Sequence, residues 1–178
     1  QVQLEHWAGR EDRWAGARER GGKRRFHETL HDIERAHTSL GWAADWGGER
    51  ELRSLLRTYE SSIDVTNTRT EGVAALRPQK IIARVLEGQA SLLPVRNQLV
   101  TVGFEGRDET LYNEGLPGQR GDAEHRALYL QDEIRVNPAL ALTLGLRNDR
   151  QSAYGSEWSP RAYAVWRPAP QWTLKGGY

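Results

Sequence analysis

Cysteine is absent from all 178 residues, so this chain has neither a disulfide framework nor a thiolate metal site. Methionine is absent too. The chain opens on Gln1 and stops at Gly177-Tyr178 inside what reads as a strand, and we read it as an internal piece of a longer protein. Charge of one sign is lacking: 25 Lys and Arg, nearly all of them arginine, balance 24 Asp and Glu to leave +1. That balance gives no reason to expect a nucleic-acid partner. Long apolar runs are missing as well, and no charge-free stretch approaches the roughly 20 residues of a membrane helix. A chain of this kind that meets a membrane meets it as strands. Its negative mean hydropathy is compatible with that, because the lumen-facing residues and loops of a barrel are polar.

What is present is alternation. Leu140, Leu142, Leu144 and Leu146 fall on one face of an extended chain, with Ala141, Thr143, Gly145 and Arg147 on the other. Before them, Leu128, Leu130, Ile134 and Val136 alternate with Tyr129, Gln131, Glu133 and Arg135. Asp132 interrupts the apolar face, where a β-bulge could re-aim it. The same pattern runs through Leu86, Gly88, Ala90 and Leu92, through Val100, Val102 and Phe104, through Leu40, Trp42, Ala44 and Trp46, and through Val2, Leu4 and Ala8.

Tight turns at Gly47–Arg50, Pro94–Asn97, Asn137–Ala139 and Pro168–Pro170 alternate with longer polar stretches at Ala15–Lys23, Ile63–Gln79, Asn113–Ala123 and Arg150–Ser159. Trp42, Trp46, Trp166 and Trp172 lie by the tight turns, and Tyr59, Tyr112, Tyr154 and Trp158 by the long ones, as two interfacial girdles would require. The expected fold is all-β: about nine antiparallel strands of a transmembrane barrel, with short periplasmic turns and long extracellular loops.

One motif points elsewhere. His27, Glu28 and His31 form H-E-x-x-H, and His37 stands where a metzincin places its third zinc ligand. On a helix, His27 and His31 would share a face and bind Zn²⁺, with Glu28 as general base. Phe26, Leu30 and Ile33 fit a helical stripe. Against this, Glu34 stands where that family has glycine, and there is no methionine for a Met-turn. The competing expectation is a long strand with histidines along it. Elsewhere the acids and bases of the polar faces, Glu87, Glu105, Arg107, Glu133, Arg135, Arg147 and Asp149, read as an ion-paired wall. The glycine-rich stretches lack the strand-glycine-helix context of a phosphate cradle, so no cofactor is expected.

ALYLQDEIRV followed by LALTLGLRND, then GSEWSPRAYAVWRP and WTLKGGY, resembles the barrel of TonB-dependent outer-membrane receptors, with Ser159-Pro160-Arg161 after an aromatic as the most specific element. The pair IIARVLEGQASLL and VTVGFEGRDETLY resembles the ferric-catecholate and colicin receptors within that family. The resemblance implies that residues 1–178 are part of a barrel of about 22 strands. A plug domain and the last strands would lie outside this piece.

It also implies uptake of a ferric siderophore with energy supplied by the TonB complex through the plug. The setting would be the lipid of the outer membrane of a Gram-negative bacterium, with no enzymatic activity. Arginines and aromatic rings near the loops suit an anionic, aromatic ligand, which makes Arg69, Arg107, Tyr112, Arg120, Tyr154 and Trp158 the candidates for contact. A passive porin-like barrel and the zinc protease through His27, His31 and His37 remain as alternatives.

Overall fold

Alternation this persistent keeps the backbone extended, and in the computed structural model, which describes residues 1–18, 26–47 and 51–178, almost every such residue is in a strand. The strands are β1 (Val2–Arg18), β2 (Phe26–Asp45), β3 (Arg53–Arg69), β4 (Gln79–Val95), β5 (Gln98–Asn113), β6 (Arg120–Asn137), β7 (Leu140–Gln151), β8 (Gly155–Ala169) and β9 (Trp172–Gly177). They form one antiparallel sheet in sequence order. Among the described residues the only helical element is a short 3-10 turn, Pro117–Gln119. The helix required by the zinc-protease reading does not form, since His27 to His37 lie within β2.

The register carries one parity across the whole sheet. Leu130 faces Val102 on one side and Leu146 on the other, Val102 faces Ala90, and Leu146 faces Pro160. In the body of the sheet, even-numbered residues therefore share one face from Val2 to Gly176, and odd-numbered residues the other. One-residue register shifts occur only beside three tight turns, between Leu92 and Val95, Arg135 and Asn137, and Trp166 and Ala169. No bulge lies at Asp132, which stays on the even face opposite Val100 and Leu144 and accepts a 2.5 Å hydrogen bond from Gln98 Nε2.

The two faces differ as a barrel wall demands. Leu4, Leu40, Leu86, Val102, Leu128, Leu130 and Leu144 stand exposed on the even face, Leu128 by 66%. Among the described residues only Val85 and Ala127 are buried and apolar, and both lie on the odd face. A sheet with so little interior core and so much exposed apolar area on one side is stable only where something apolar covers that side. The even face is the outer face, and the odd face is the lumenal wall.

Three close approaches lock the wall. A Cβ on Gly88 would come within 2.6 Å of the Phe104 ring, one on Gly103 within 2.3 Å of the Tyr129 ring, and one on Gly177 within 2.6 Å of the Tyr163 ring. Each aromatic ring thus fills the gap left by a neighbouring glycine, Phe104 outside and the two tyrosines inside.

The strands run further into the polar stretches than the sequence suggests. β1 continues to Arg18, β3 to Arg69, β6 begins at Arg120, and β7 and β8 leave only residues 152–154 between them, so Ser159-Pro160-Arg161 is mid-strand. The reason is visible in cross-strand ion pairs: Arg84–Glu60 at 2.6 Å, Arg126–Asp108 at 2.8 Å and Lys80–Asp64 at 3.5 Å replace apolar contacts above the belt. Strands β1 to β6 have 16 to 20 residues. A membrane crossing needs about 9–11, so the remainder stands outside the bilayer on the loop side.

At the opposite end, β4 and β5 are joined through Arg96-Asn97, β6 and β7 through Pro138-Ala139, and β8 and β9 through Pro170-Gln171. Of the Gly47–Arg50 turn only Gly47, at φ +60°, is within the described residues, and the return is closed by Trp46 N donating to Leu52 O at 2.9 Å. Of the Ala15–Lys23 stretch, residues 19–23 lie outside the described residues.

Candidate functional site on the lumenal wall

Odd-numbered positions of β3 to β7 bring charged and aromatic side chains of five strands onto one surface. Arg57 Nε lies 2.8 Å from Glu87 Oε1, and its guanidinium is 5.1 Å from the centre of the Tyr59 ring. Glu105 is the hub, within 3.2 Å of Arg107 Nη2, 3.6 Å of Arg147 Nη2 and 3.7 Å of His125 Nδ1. Asp149 accepts 2.9 Å bonds from Arg147 Nε on both oxygens and lies 2.8 Å from His125 Nε2. Arg107 also reaches Glu109 at 3.5 Å, yet its Nε has no partner. Arg147 lies over Tyr129, whose hydroxyl donates to Gln89 at 3.1 Å.

These carboxylates and guanidiniums hold one another in place without a second layer, and the arginines keep an exposed side toward the lumen. Such a wall can exchange an internal carboxylate for an external anion at a guanidinium, and it can stack a planar group on an arginine-capped ring. Nearer β1, His37 stacks on Trp7 at 5.7 Å and meets the tilted Tyr59 ring at 5.4 Å, which continues the aromatic surface. Tyr59 is therefore a lumenal residue, not part of the outer girdle that its place in the sequence suggests.

The six candidate contact residues are divided between the faces. Arg107 is in the network above. Arg69, near the loop end of β3, is lumenal, donates to Ala74 O at 3.3 Å and has a buried Nε without a partner. Tyr112 and Arg120 are brought together, guanidinium 5.6 Å from ring centre, but on the outer face, where Arg120 is clamped to Asp122. Trp158 is on the outer face too, and Tyr154 is exposed in the β7–β8 connection.

The histidines of the H-E-x-x-H motif do not form a centre. His27 and His31 share the lumenal face but are four strand residues, roughly 13 Å, apart. Glu28 points to the opposite face. Zinc, with bonds of about 2 Å to each nitrogen, cannot bridge that gap. No group of three or more potential ligands is found among the described residues.

His125, Arg57 and Tyr129 were not singled out by the sequence as members of the wall. Their odd numbers were the available signal, since parity assigns every one of them to the lumenal side.

A family model described as TonB dependent receptor-like, beta-barrel, matches residues 6–178. The iron-regulated outer membrane virulence protein of Vibrio cholerae is 27% identical over 99% of this chain and 26% of its own length. The ferric enterobactin receptor PirA of Pseudomonas aeruginosa is 35% identical over 45% of this chain and 13% of its own. Among solved structures, the siderophore receptor PirA from Acinetobacter baumannii superposes with a TM-score of 0.71 at 16% identity, covering 99% of this chain and 33% of that one. This last likeness is one of fold. The chain spans about a quarter or less of the curated relatives it matches.

Proposed function

The chain belongs to the TonB-dependent receptor-like β-barrel family of the bacterial outer membrane, and from that membership and the lumenal wall we propose that it is the ligand-facing side of a receptor that imports a ferric siderophore using TonB-supplied energy. The family and the fold are those of transport receptors, and the proposal involves no catalytic step. One observation carries it: β6 and β7 turn leucines outward while β3, β5, β6 and β7 turn arginines and tyrosines inward, Arg57, Tyr59, Arg107, Tyr129 and Arg147 among them.

In this reading the nine strands are part of a barrel of about 22, with a plug domain that couples to TonB and with lipid against the even face. Ferric siderophores are anionic and aromatic, which suits Arg57, Arg107 and Arg147 beside Tyr59 and Tyr129. Of the six candidates, Arg69, Arg107 and Tyr154 belong to the ligand path, whereas Tyr112, Arg120 and Trp158 belong to the outer rim. The test is uptake of iron-labelled siderophore by cells that depend on the intact receptor. Arg107→Ala with Arg147→Ala should lower uptake about tenfold, the loss expected for charge-assisted hydrogen bonds. A protonophore should abolish it. Uptake that survives the protonophore would identify a passive pore.

A further inference from the structure

The centre of the lumenal network holds more carboxylates than guanidiniums. Around His125, β5 contributes Glu105, Arg107 and Glu109, and β7 contributes Arg147 and Asp149. Arg107 and Gln151 stand directly opposite the histidine in the two neighbouring strands. Along its own strand the same face carries Ala123 and Ala127, which are uncharged. The adjoining pair, Glu87 with Arg57, is balanced within itself. Glu105, Glu109 and Asp149 thus meet only Arg107 and Arg147, and a proton on His125 brings the cluster to neutrality.

The ring is placed to take that proton. Its Nε2 lies 2.8 Å from Asp149 Oδ1 and its Nδ1 lies 3.7 Å from Glu105 Oε1, so each ring nitrogen faces a carboxylate. A neutral imidazole has one N–H and turns its other lone pair toward the second carboxylate, whereas the imidazolium donates toward both. The side chains of Arg107 and Arg147 are 40% and 38% exposed, against 26% for His125 and 19% for Glu105. An incoming anion therefore meets the guanidiniums, and the histidine acts on it from behind them.

We propose that His125 is a positioning residue for the ligand's anionic group, and that its protonation strengthens anion binding at Arg107 and Arg147. For a guanidinium to take an external oxygen, a carboxylate it now serves must give way. With His125 neutral, Glu105 and Asp149 share only what remains of the two arginines. With His125 protonated, each keeps a cation beside it. The coupling is reciprocal: the proton favours the anion, and the bound anion favours the proton by the same factor. This inference rests on the lumenal wall as the ligand-facing side and adds its regulation, with capture tightest in mildly acidic surroundings.

The experiment uses the intact receptor in detergent and pyrene tetrasulfonate, a planar aromatic anion whose sulfonates stay ionised across the histidine range, with binding followed by fluorescence anisotropy. The wild type should bind it about tenfold more tightly at about pH 5.5 than at about pH 8, a coupling of ordinary size. His125→Gln, neutral throughout, should bind weakly and equally at both values, and His125→Lys, charged throughout, should bind tightly at both. In weak buffer at about pH 7, binding to the wild type should take up protons, and binding to either variant should not. A histidine with a structural role alone would change the affinity of the variants without removing its pH dependence.

Wild-type affinity that does not change with pH, or a pH dependence that persists in His125→Gln, would overturn the inference and leave the lumenal wall standing. Failure of the wild type to bind at either pH, or binding that survives Arg107→Ala with Arg147→Ala, would refute the wall as an anion site and this inference with it.

Discussion

Gly103 shows how a single residue constrains the wall. Its strand conformation suits any residue, so what forbids a side chain is the Tyr129 ring, 2.3 Å from where a Cβ would be, together with the Gly88 carbonyl oxygen at 2.8 Å. Gly103→Ala should displace the ring, break the Tyr129–Gln89 bond and cost about 1–3 kcal/mol, the usual penalty of overpacking. Thermal denaturation of the refolded barrel would report it, and combining the change with Tyr129→Ala should recover the part due to the ring and leave the part due to the Gly88 carbonyl. A full penalty in the double variant would mean that the ring is not the obstacle.

Leu144 and Thr143 make the complementary test of orientation. Arginine at Leu144, mid-strand on the lipid side, should cost roughly 2–4 kcal/mol, whereas Thr143→Arg, on the lumenal side, should cost much less. Similar losses at both positions in a folding titration would contradict the assigned faces. Alanine at His27 and His31 should leave iron uptake and bound zinc unchanged.

At the scale of elements, β6 illustrates what alternation can and cannot reveal. Its lower half, Leu128 to Val136, was legible because apolar and polar residues alternate. Its upper end, from Arg120, falls in the Asn113–Ala123 stretch that Gly115, Pro117, Gly118 and Gly121 mark as a loop. What holds that end is pairing with β5: Asp122 accepts from Thr110 Oγ1 at 2.8 Å and is clamped by Arg120 Nε at 2.9 and 3.0 Å.

This cluster is beside the connection and outside the membrane, and those hydrogen bonds hold the Asp122 carboxyl below the usual aspartate range, Arg120 first and Thr110 second. A depressed carboxylate stabilises above its unfolded pKa and ceases to do so as pH falls through the folded value. The end of β6 should therefore stay ordered at neutral pH and fray only in acid below the ordinary aspartate range. Amide hydrogen exchange at residues 120–123 measures this, and loss of protection already at the ordinary aspartate range would refute it.

For the whole molecule, the decisive feature is a single sheet whose apolar side has no partner within the described chain. β1 pairs only with β2 and β9 only with β8, so two strand edges and the outer face are open among the described residues. Expressed as this chain alone in detergent-free buffer, the protein should aggregate through those edges and that face. A monomer that unfolds cooperatively, seen by sedimentation and denaturant titration, would contradict the barrel-wall reading.

The sequence by itself determined which residues of the clearest runs, such as Leu140 to Leu146, share a face, because side-chain alternation is a property of the extended backbone; that Tyr59 faces the lumen and Tyr112, Arg120 and Trp158 face out needed the register that joins the strands. It also determined the tight turns, where proline, asparagine and glycine leave few conformations open. Only the tertiary structure decided how far the strands run, which carboxylates gather around Arg107 and Arg147, and that Asp132 stays on the outer face. Those features depend on which residues of separate strands come opposite one another. That is set by register across the sheet, and no local pattern encodes it.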